Sequence, residues 1–192
     1  MKAPFTLALV AFSAFVSFFP GAVEILEFDR GAVARGQVWR PLTGQLVHWT
    51  PRMAVLDLGV LLGLGIWLER HSRRVLLSTL VVSAALVAAG VQFIARELVY
   101  YRGSSGLATA VFMGVALVVL SDKRRSPRWR ILSLLSILLL GVKILWETQH
   151  HGLVAAGSLP SGVQVVPIVH LLGAIGAVGV YSVLRSDAPH RA

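Results

Sequence analysis

The chain has 192 residues, of which 56% are hydrophobic and only 14% are charged, and its mean hydropathy of +0.74 is typical of an integral membrane protein. Its formal net charge is +9, but the basic residues fall between hydrophobic stretches, so we expect anionic lipid headgroups as their partners and no nucleic acid. The absence of cysteine excludes disulfides and thiolate metal sites.

Six apolar stretches follow one another along the chain, each close to the roughly 20 residues that a spanning helix requires. They are Phe5–Ile25, Met53–Leu68, Val75–Ala95, Ser105–Leu120, Ile131–Trp146 and Val165–Leu184. The first is open to a second interpretation as the apolar core of a signal peptide, but it is long and no small-x-small cleavage site precedes Glu24. We therefore expect a retained span and an all-α, polytopic, six-helix membrane protein whose single domain covers residues 1–192.

The distribution of Lys and Arg predicts the orientation, because basic residues accumulate in cytoplasmic connections. With the N-terminus inside, the inner segments hold eleven: Lys2, Arg70, Arg73, Arg74, Lys123, Arg124, Arg125, Arg128, Arg130, Arg185 and Arg191. The outer segments hold six: Arg30, Arg35, Arg40, Arg52, Arg96 and Arg102. We expect both termini in the cytoplasm.

A serine and a histidine lie where this orientation brings two spans in from the outer face. Ser105 begins the fourth stretch within Gly103-Ser104-Ser105-Gly106, and His170 lies about five residues into the sixth. A hydroxyl and an imidazole form the minimum set for nucleophilic catalysis, and ionisable groups inside spans are usually functional. Small residues on both stretches predict close helix approach: Gly106, Ala110 and Gly114 on the fourth, and Gly173, Gly176 and Gly179 on the sixth.

These motifs resemble the rhomboid intramembrane serine proteases in order and spacing over nearly the whole chain. The resemblance lies in Trp39-Arg40, Thr43, His48, Gly103-Ser104-Ser105-Gly106 and His170-Leu171-Leu172-Gly173. The rhombosortase branch is indicated by two further segments, Tyr101-Arg102-Gly103 and Lys143-Ile144-Leu145-Trp146-Glu147. The resemblance implies a Ser105 nucleophile, a His170 general base, no cofactor or metal, and cleavage of membrane-anchored proteins in or near a transmembrane segment. It also implies a bacterial inner membrane, a site towards the periplasm, and substrates with C-terminal Gly-Gly sorting tails.

The second span departs from the family pattern. Rhomboids usually carry a His-x-x-x-Asn pair there that stabilises the oxyanion, and the corresponding positions are Met53 and Asp57. Methionine donates no hydrogen bond, and an ionised aspartate would repel an oxyanion. Three alternatives stay open: a neutral Asp57 that donates a hydrogen bond, a hole that rests on the Ser105 backbone N–H at the helix start with help from His48, or a protein that binds substrates without cutting them. Gly103 and Gly106, which flank the two serines, are further oxyanion candidates.

The remaining polar residues have simpler interpretations. Lys143 and Glu147 are four residues apart, so we expect a structural ion pair within the fifth span. Asp57 is also a candidate to orient His170. The polar connection Gln149–Gln164 is a candidate gate for water and substrate. The alternative function is that of a catalytically inactive rhomboid-like protein that binds transmembrane segments, and the sequence does not define the oligomeric state.

Overall fold

The computed structural model describes residues 2–150 and 166–186. Residues 151–164 of the predicted gate, Gln149–Gln164, therefore lie outside the described residues. The described chain is mainly helical. Its helices are α1 (Pro4–Phe18), α2 (Ala22–Leu26), α3 (Arg30–Ala34), α4 (Arg40–Thr43), α5 (Pro51–His71), α6 (Arg73–Ala89), α7 (Ser105–Ser121), α8 (Pro127–His150) and α9 (Pro167–Ser186). A 3-10 turn at Gly44–Leu46 follows α4, and a π-helical turn at Gly90–Ile94 extends α6.

Four of these helices are long and apolar enough to cross a membrane. They cover Pro51–His71, Arg73–Ile94, Pro127–His150 and Pro167–Arg185. The prediction of a helical, membrane-embedded protein is thereby confirmed. Helices α1 and α7 are also apolar but have 15 and 17 residues, which is short of the roughly 20 that a perpendicular span requires.

The first apolar stretch does not form the single helix that we expected over Phe5–Ile25. Helix α1 ends at Phe18, and Phe19 is extended, with φ −80° and ψ 124°. The ring of Pro20 disfavours the helical conformation for the residue before it, and Gly21 then takes a left-handed φ of +80°. The short helix α2 begins only after this break, so the prediction of one continuous helix was wrong.

Helix α7 lies at the centre of the bundle. Ten of its 17 residues are buried, and it packs against α5, α6, α8 and α9. A helix that is apolar on every side is suited to burial on every side. The core cluster around it joins Leu107 and Val111 of α7 to Leu58, Leu61 and Leu68 of α5. The start of α7 is consequently held by neighbours on several sides.

Helix α1 is fastened to α5 by a buried carboxylate. Glu69 accepts hydrogen bonds from the backbone N–H of Phe5 at 3.2 Å, the backbone N–H of Thr6 at 2.8 Å and the Thr6 hydroxyl at 2.7 Å. The first amides of a helix have no partner within the helix, and a negative charge at that end is favourable. Glu69 therefore supplies from α5 the cap that α1 lacks in its own sequence.

Two short strands hold the connection that leads to α7. Strand β1 (Phe28–Asp29) pairs antiparallel with β2 (Tyr100–Tyr101), with Phe28 opposite Tyr101. The Arg30 side chain donates to four backbone carbonyls near the end of α6, those of Val91, Gln92, Ala95 and Leu98. Arg102 forms an ion pair with Glu27 at 2.7 Å. This bracing fixes the chain immediately before the Gly103–Gly106 tetrad.

Candidate active site

Gly103 turns the chain from β2 into α7. Its φ of +139° lies in the region that favours glycine, and its N–H donates to the carbonyl of Gly44 at 3.1 Å. Ser104 precedes the helix, and Ser105 is its first residue. Ser104 is buried, whereas Ser105 is partly exposed. Of the two adjacent hydroxyls, that of Ser105 is the more accessible.

The starts of α7 and α9 touch through their backbones. A Cβ built on Gly106 would lie 3.0 Å from the carbonyl oxygen of Val169, and one built on Gly173 would overlap the carbonyl of Gly106. Only glycine allows helices to approach this closely. The residues in contact, Gly106 and Val169, are the chain neighbours of Ser105 and His170, so this contact brings the backbones of the two candidate residues to the same region.

The small faces behave as predicted for Gly106 and Ala110, which pack against α9. Two other glycines face elsewhere. A Cβ on Gly114 would meet Leu68 of α5 at 3.2 Å, and Gly176 lies against Ser83 of α6. The small residues of α7 and α9 therefore serve more than one helix pair, because both helices also pack closely against α5 or α6.

His170 is only 5% exposed, and its Nδ1 is engaged by α8. Nδ1 lies 2.9 Å from Oε2 of Glu147 and 3.2 Å from Nζ of Lys143. The tautomer that carries its proton on Nδ1 satisfies the carboxylate, and Nε2 then carries the lone pair. Within residues 2–150 and 166–186, no hydrogen bond occupies Nε2. This nitrogen is the one that a general base needs.

Lys143 and Glu147 form an ion pair at 2.8 Å, as their spacing predicts, but the pair is part of a three-residue cluster. The Glu147 side chain is fully buried, and its Oε1 has no hydrogen-bond partner among the described residues. A buried carboxylate is costly unless it is paired. Here the contacts with Lys143 and with the imidazole of His170 offset this cost. Through the contact at Nδ1, Glu147 also fixes the orientation of the imidazole ring.

Ser105 faces Tyr101 and makes no hydrogen bond to His170 within the described structure. Its hydroxyl is a hydrogen-bond partner of the Tyr101 phenol, which also donates to the carbonyl of Gly103 at 2.8 Å. Burial, together with the negative charge of Asp57, raises the pKa of Tyr101. The phenol therefore remains a neutral donor beside the serine.

A second buried cluster surrounds His48 on the other side of the tetrad. Its Nε2 lies 3.0 Å from Oγ of Ser104 and 3.5 Å from Oδ2 of Asp57, and its Nδ1 lies 3.0 Å from Oγ of Ser17. A Cβ on Gly103 would be 3.8 Å from Oδ2 of Asp57. The oxyanion candidates predicted from the sequence thus gather at the start of α7.

Asp57 contacts His48 in this cluster, and the carboxylate beside His170 is Glu147 of α8. The role of Glu147 was missed because its four-residue spacing to Lys143 already explained it as an ion pair. The signal was nevertheless present, since a second ionisable group deep in an apolar segment usually has a further partner. Ser17 was also missed and carries no distinctive sequence pattern, whereas Tyr101 belongs to a segment cited for the family resemblance but was given no role at the site.

Neither protein-family models nor curated protein sequences give a match to this chain. The inference of function consequently depends on the arrangement of side chains around Ser105, His170 and Glu147.

Proposed function

We propose that this chain is an intramembrane serine endopeptidase of the rhomboid type, with six spans surrounding a Ser105–His170 pair. The observation that carries the proposal is the close contact between the start of α7, which bears Ser105, and the start of α9, which bears His170. Behind His170, Oε2 of Glu147 in α8 lies 2.9 Å from its Nδ1. A nucleophile, a base and a group that orients the base are the parts that hydroxyl activation requires.

In the proposed reaction, Oγ of Ser105 attacks the carbonyl carbon of the substrate peptide bond while its proton passes to Nε2 of His170. The C–N bond then breaks, and the same proton goes to the leaving amine. Water attacks the acyl-enzyme, gives its proton to Nε2 and releases the new carboxyl end, after which Ser105 regains its proton. Glu147 stays a carboxylate throughout and stabilises the imidazolium.

In the proposed reaction, the Ser105 hydroxyl leaves its partner Tyr101 and hydrogen-bonds to Nε2 of His170 when the substrate binds. Catalytic hydrogen bonds often form only in the substrate complex. We assign the oxyanion to the backbone N–H of Ser105, because the first amides of α7 have no partner within the helix. The cluster of His48 and Asp57 supports this hole from the side of Gly103.

The membrane arrangement that we propose counts α1 and α7 as spans beside the four longer helices. Arg125, in the connection after α7, lies over the ring of Trp67 near the end of α5, so two of the predicted inner segments meet at one end of the bundle. Ser105 and His170 lie near the starts of α7 and α9, at the other end of the bundle. In the arrangement that we propose, both termini lie in the cytoplasm of a bacterium and the site lies at the periplasmic side of the inner membrane.

The substrates that we propose are membrane-anchored proteins, since a site at the start of two apolar helices is reached most directly from the membrane interface. The resemblance to rhombosortases narrows them to proteins with a C-terminal Gly-Gly motif, an apolar helix and a basic tail. The reaction requires no cofactor.

A second candidate is a non-catalytic protein that binds transmembrane segments. The observations that favour it are the replacement of the usual histidine and asparagine by Met53 and Asp57 and the hydroxyl of Ser105 that faces Tyr101. Such a protein has no need for an activated hydroxyl. The two functions therefore differ in the reactivity of one side chain.

Labelling of the purified protein with a fluorophosphonate tests this reactivity directly. We expect labelling of the natural chain, loss in Ser105→Ala and persistence in Ser104→Ala, which is a matched control one residue away. Loss in Ser104→Ala alone would transfer the nucleophile to the buried pair of Ser104 and His48. A folded natural protein that stays unlabelled would support the binding function.

A further inference from the structure

A cavity of about 430 Å³ opens at the end of the bundle opposite the candidate active site. It lies where the end of α5 meets the connection between α7 and α8. Its lining combines apolar and cationic side chains, namely Gly63, Ile66, Trp67, Arg70, His71 and Arg125. Since no carboxylate is among the described residues that line it, these side chains give the cavity a positive opening.

The two guanidinium groups at this opening are available to a ligand. Arg125 pairs with Asp122 at 3.5 Å, but both side chains are 35% exposed, so this ion pair is weak. Arg70 is exposed and has no ion pair or hydrogen bond to the residues that the structure describes. Guanidinium groups bind phosphate oxygens in a two-pronged geometry, which is stronger than a single contact.

The interior of the cavity is aromatic and is held in place. The indole of Trp67 stacks on the imidazole of His71 at 5.4 Å with an interplanar angle of 4°, and Arg125 lies 5.5 Å from the indole centroid. An amphipathic indole beside cationic side chains is typical of the membrane headgroup level. The cavity therefore combines a phosphate-binding opening with a surface suited to the glycerol and upper acyl region of a lipid.

A smooth apolar path leads from this cavity along α5. Gly63 lines the cavity, and Gly59 lies one turn further along the helix, about 6 Å away at 1.5 Å per residue. Both glycines are exposed, and a Cβ on either would meet no atom of residues 2–150 and 166–186 within 4 Å. A hydrocarbon chain can lie against this surface without obstruction. A free phosphate ion has no use for such a path.

We propose that this cavity is a binding site for an anionic phospholipid, whose phosphate contacts Arg70 and Arg125 and whose acyl chain lies over Gly63 and Gly59. The occupant is a lipid because the cationic opening and the apolar path are continuous. Basic pockets at the membrane surface are a recurring form of lipid recognition.

Native mass spectrometry of the purified full-length protein, titrated with dioleoyl phosphatidylglycerol, tests the site. The double variant Arg70→Gln/Arg125→Gln should bind this lipid about tenfold or more weakly, since two phosphate contacts are lost. The matched control is Arg74→Gln/Arg124→Gln, which removes the same charge from two exposed residues outside the cavity. It should bind like the natural chain, and equal weakening in both double variants would overturn the proposal in favour of a diffuse surface charge.

Two further arms separate a lipid from its headgroup alone. Gly63→Leu places a branched side chain in the path, and its Cβ meets no described atom within 4 Å, so it should weaken phosphatidylglycerol binding severalfold with little change in Tm in the absence of lipid. Dioleoyl phosphatidylcholine and soluble glycerol 3-phosphate should each bind at least tenfold more weakly than phosphatidylglycerol. Binding of glycerol 3-phosphate as tight as that of the lipid would identify a free phosphate site and overturn the proposal. None of these measurements depends on peptidase activity.

Discussion

Replacing Glu147 by glutamine removes a charge from behind His170 while keeping the shape of the side chain. The Glu147–His170 contact of 2.9 Å is a buried hydrogen bond to a charged group, which contributes about 1.5–3 kcal/mol. In the proposed mechanism, this energy stabilises the imidazolium formed when Ser105 attacks. At about 1.4 kcal/mol per tenfold, the turnover number of Glu147→Gln should fall about 10- to 150-fold.

The effect of Lys143 distinguishes this role from a structural one. In Glu147→Gln, the ammonium of Lys143 remains 3.2 Å from Nδ1 of His170 without its carboxylate, so it opposes protonation of the ring. Adding Lys143→Met to Glu147→Gln should therefore restore part of the lost turnover, although it removes a further native contact. A purely structural pair would instead show no gain on the second substitution.

The assay is the rate of fluorophosphonate labelling, together with cleavage of a membrane-anchored reporter, in detergent or in vesicles. We expect kcat to fall with little change in KM, because Glu147 is buried behind the histidine and away from the substrate. The Tm of each variant controls for folding. Labelling of folded Glu147→Gln at the natural rate, while Ser105→Ala abolishes it, would refute the assignment of Glu147.

Three further predictions follow from the same site and fold. Asp57→Asn should keep or raise activity because it keeps a polar group beside Gly103, whereas Asp57→Leu should lose about tenfold or more; loss in both would show that the carboxylate itself is required. Gly173→Ala should abolish labelling and lower Tm, because its methyl group overlaps the Gly106 carbonyl, whereas Gly179→Ala meets nothing within 4 Å and should be neutral. Reporter fusions after Arg74 and Arg130 should report a cytoplasmic location and those near Arg102 and Gly157 an external one; an external signal after Arg130 would place the candidate site on the inner side.

The apolar stretches predicted where the helices lie, because hydropathy over about 20 residues reflects a local property of the chain. The end of α1 was also readable in principle, since Pro20 and Gly21 form a strong helix-breaking pair. The prediction failed there because apolar composition alone was followed across the break. Glycine spacing predicted the approach of Gly106 and α9, since close backbone contact requires small side chains.

Contacts between distant elements were less accessible to sequence reasoning. Glu147 and His170 are 23 residues apart, and no periodicity in the chain links α8 to α9. The same holds for His48 and Ser104, which are 56 residues apart and joined only by the fold. Such pairs depend on helix rotation and depth, which a hydropathy pattern leaves undefined. The sequence thus predicted which polar groups are buried in apolar segments, but not which of them contact one another.

The cap that Glu69 provides for α1 has a consequence for the order of assembly. The ribosome makes Thr6 63 residues before the glutamate that binds its amide and hydroxyl. Until α5 packs beside it, the first turn of α1 lacks this acceptor, and its free amides depend on water. The start of α1 should therefore reach its final, fixed position only after α5 has been made, so that these two helices complete their packing as a pair.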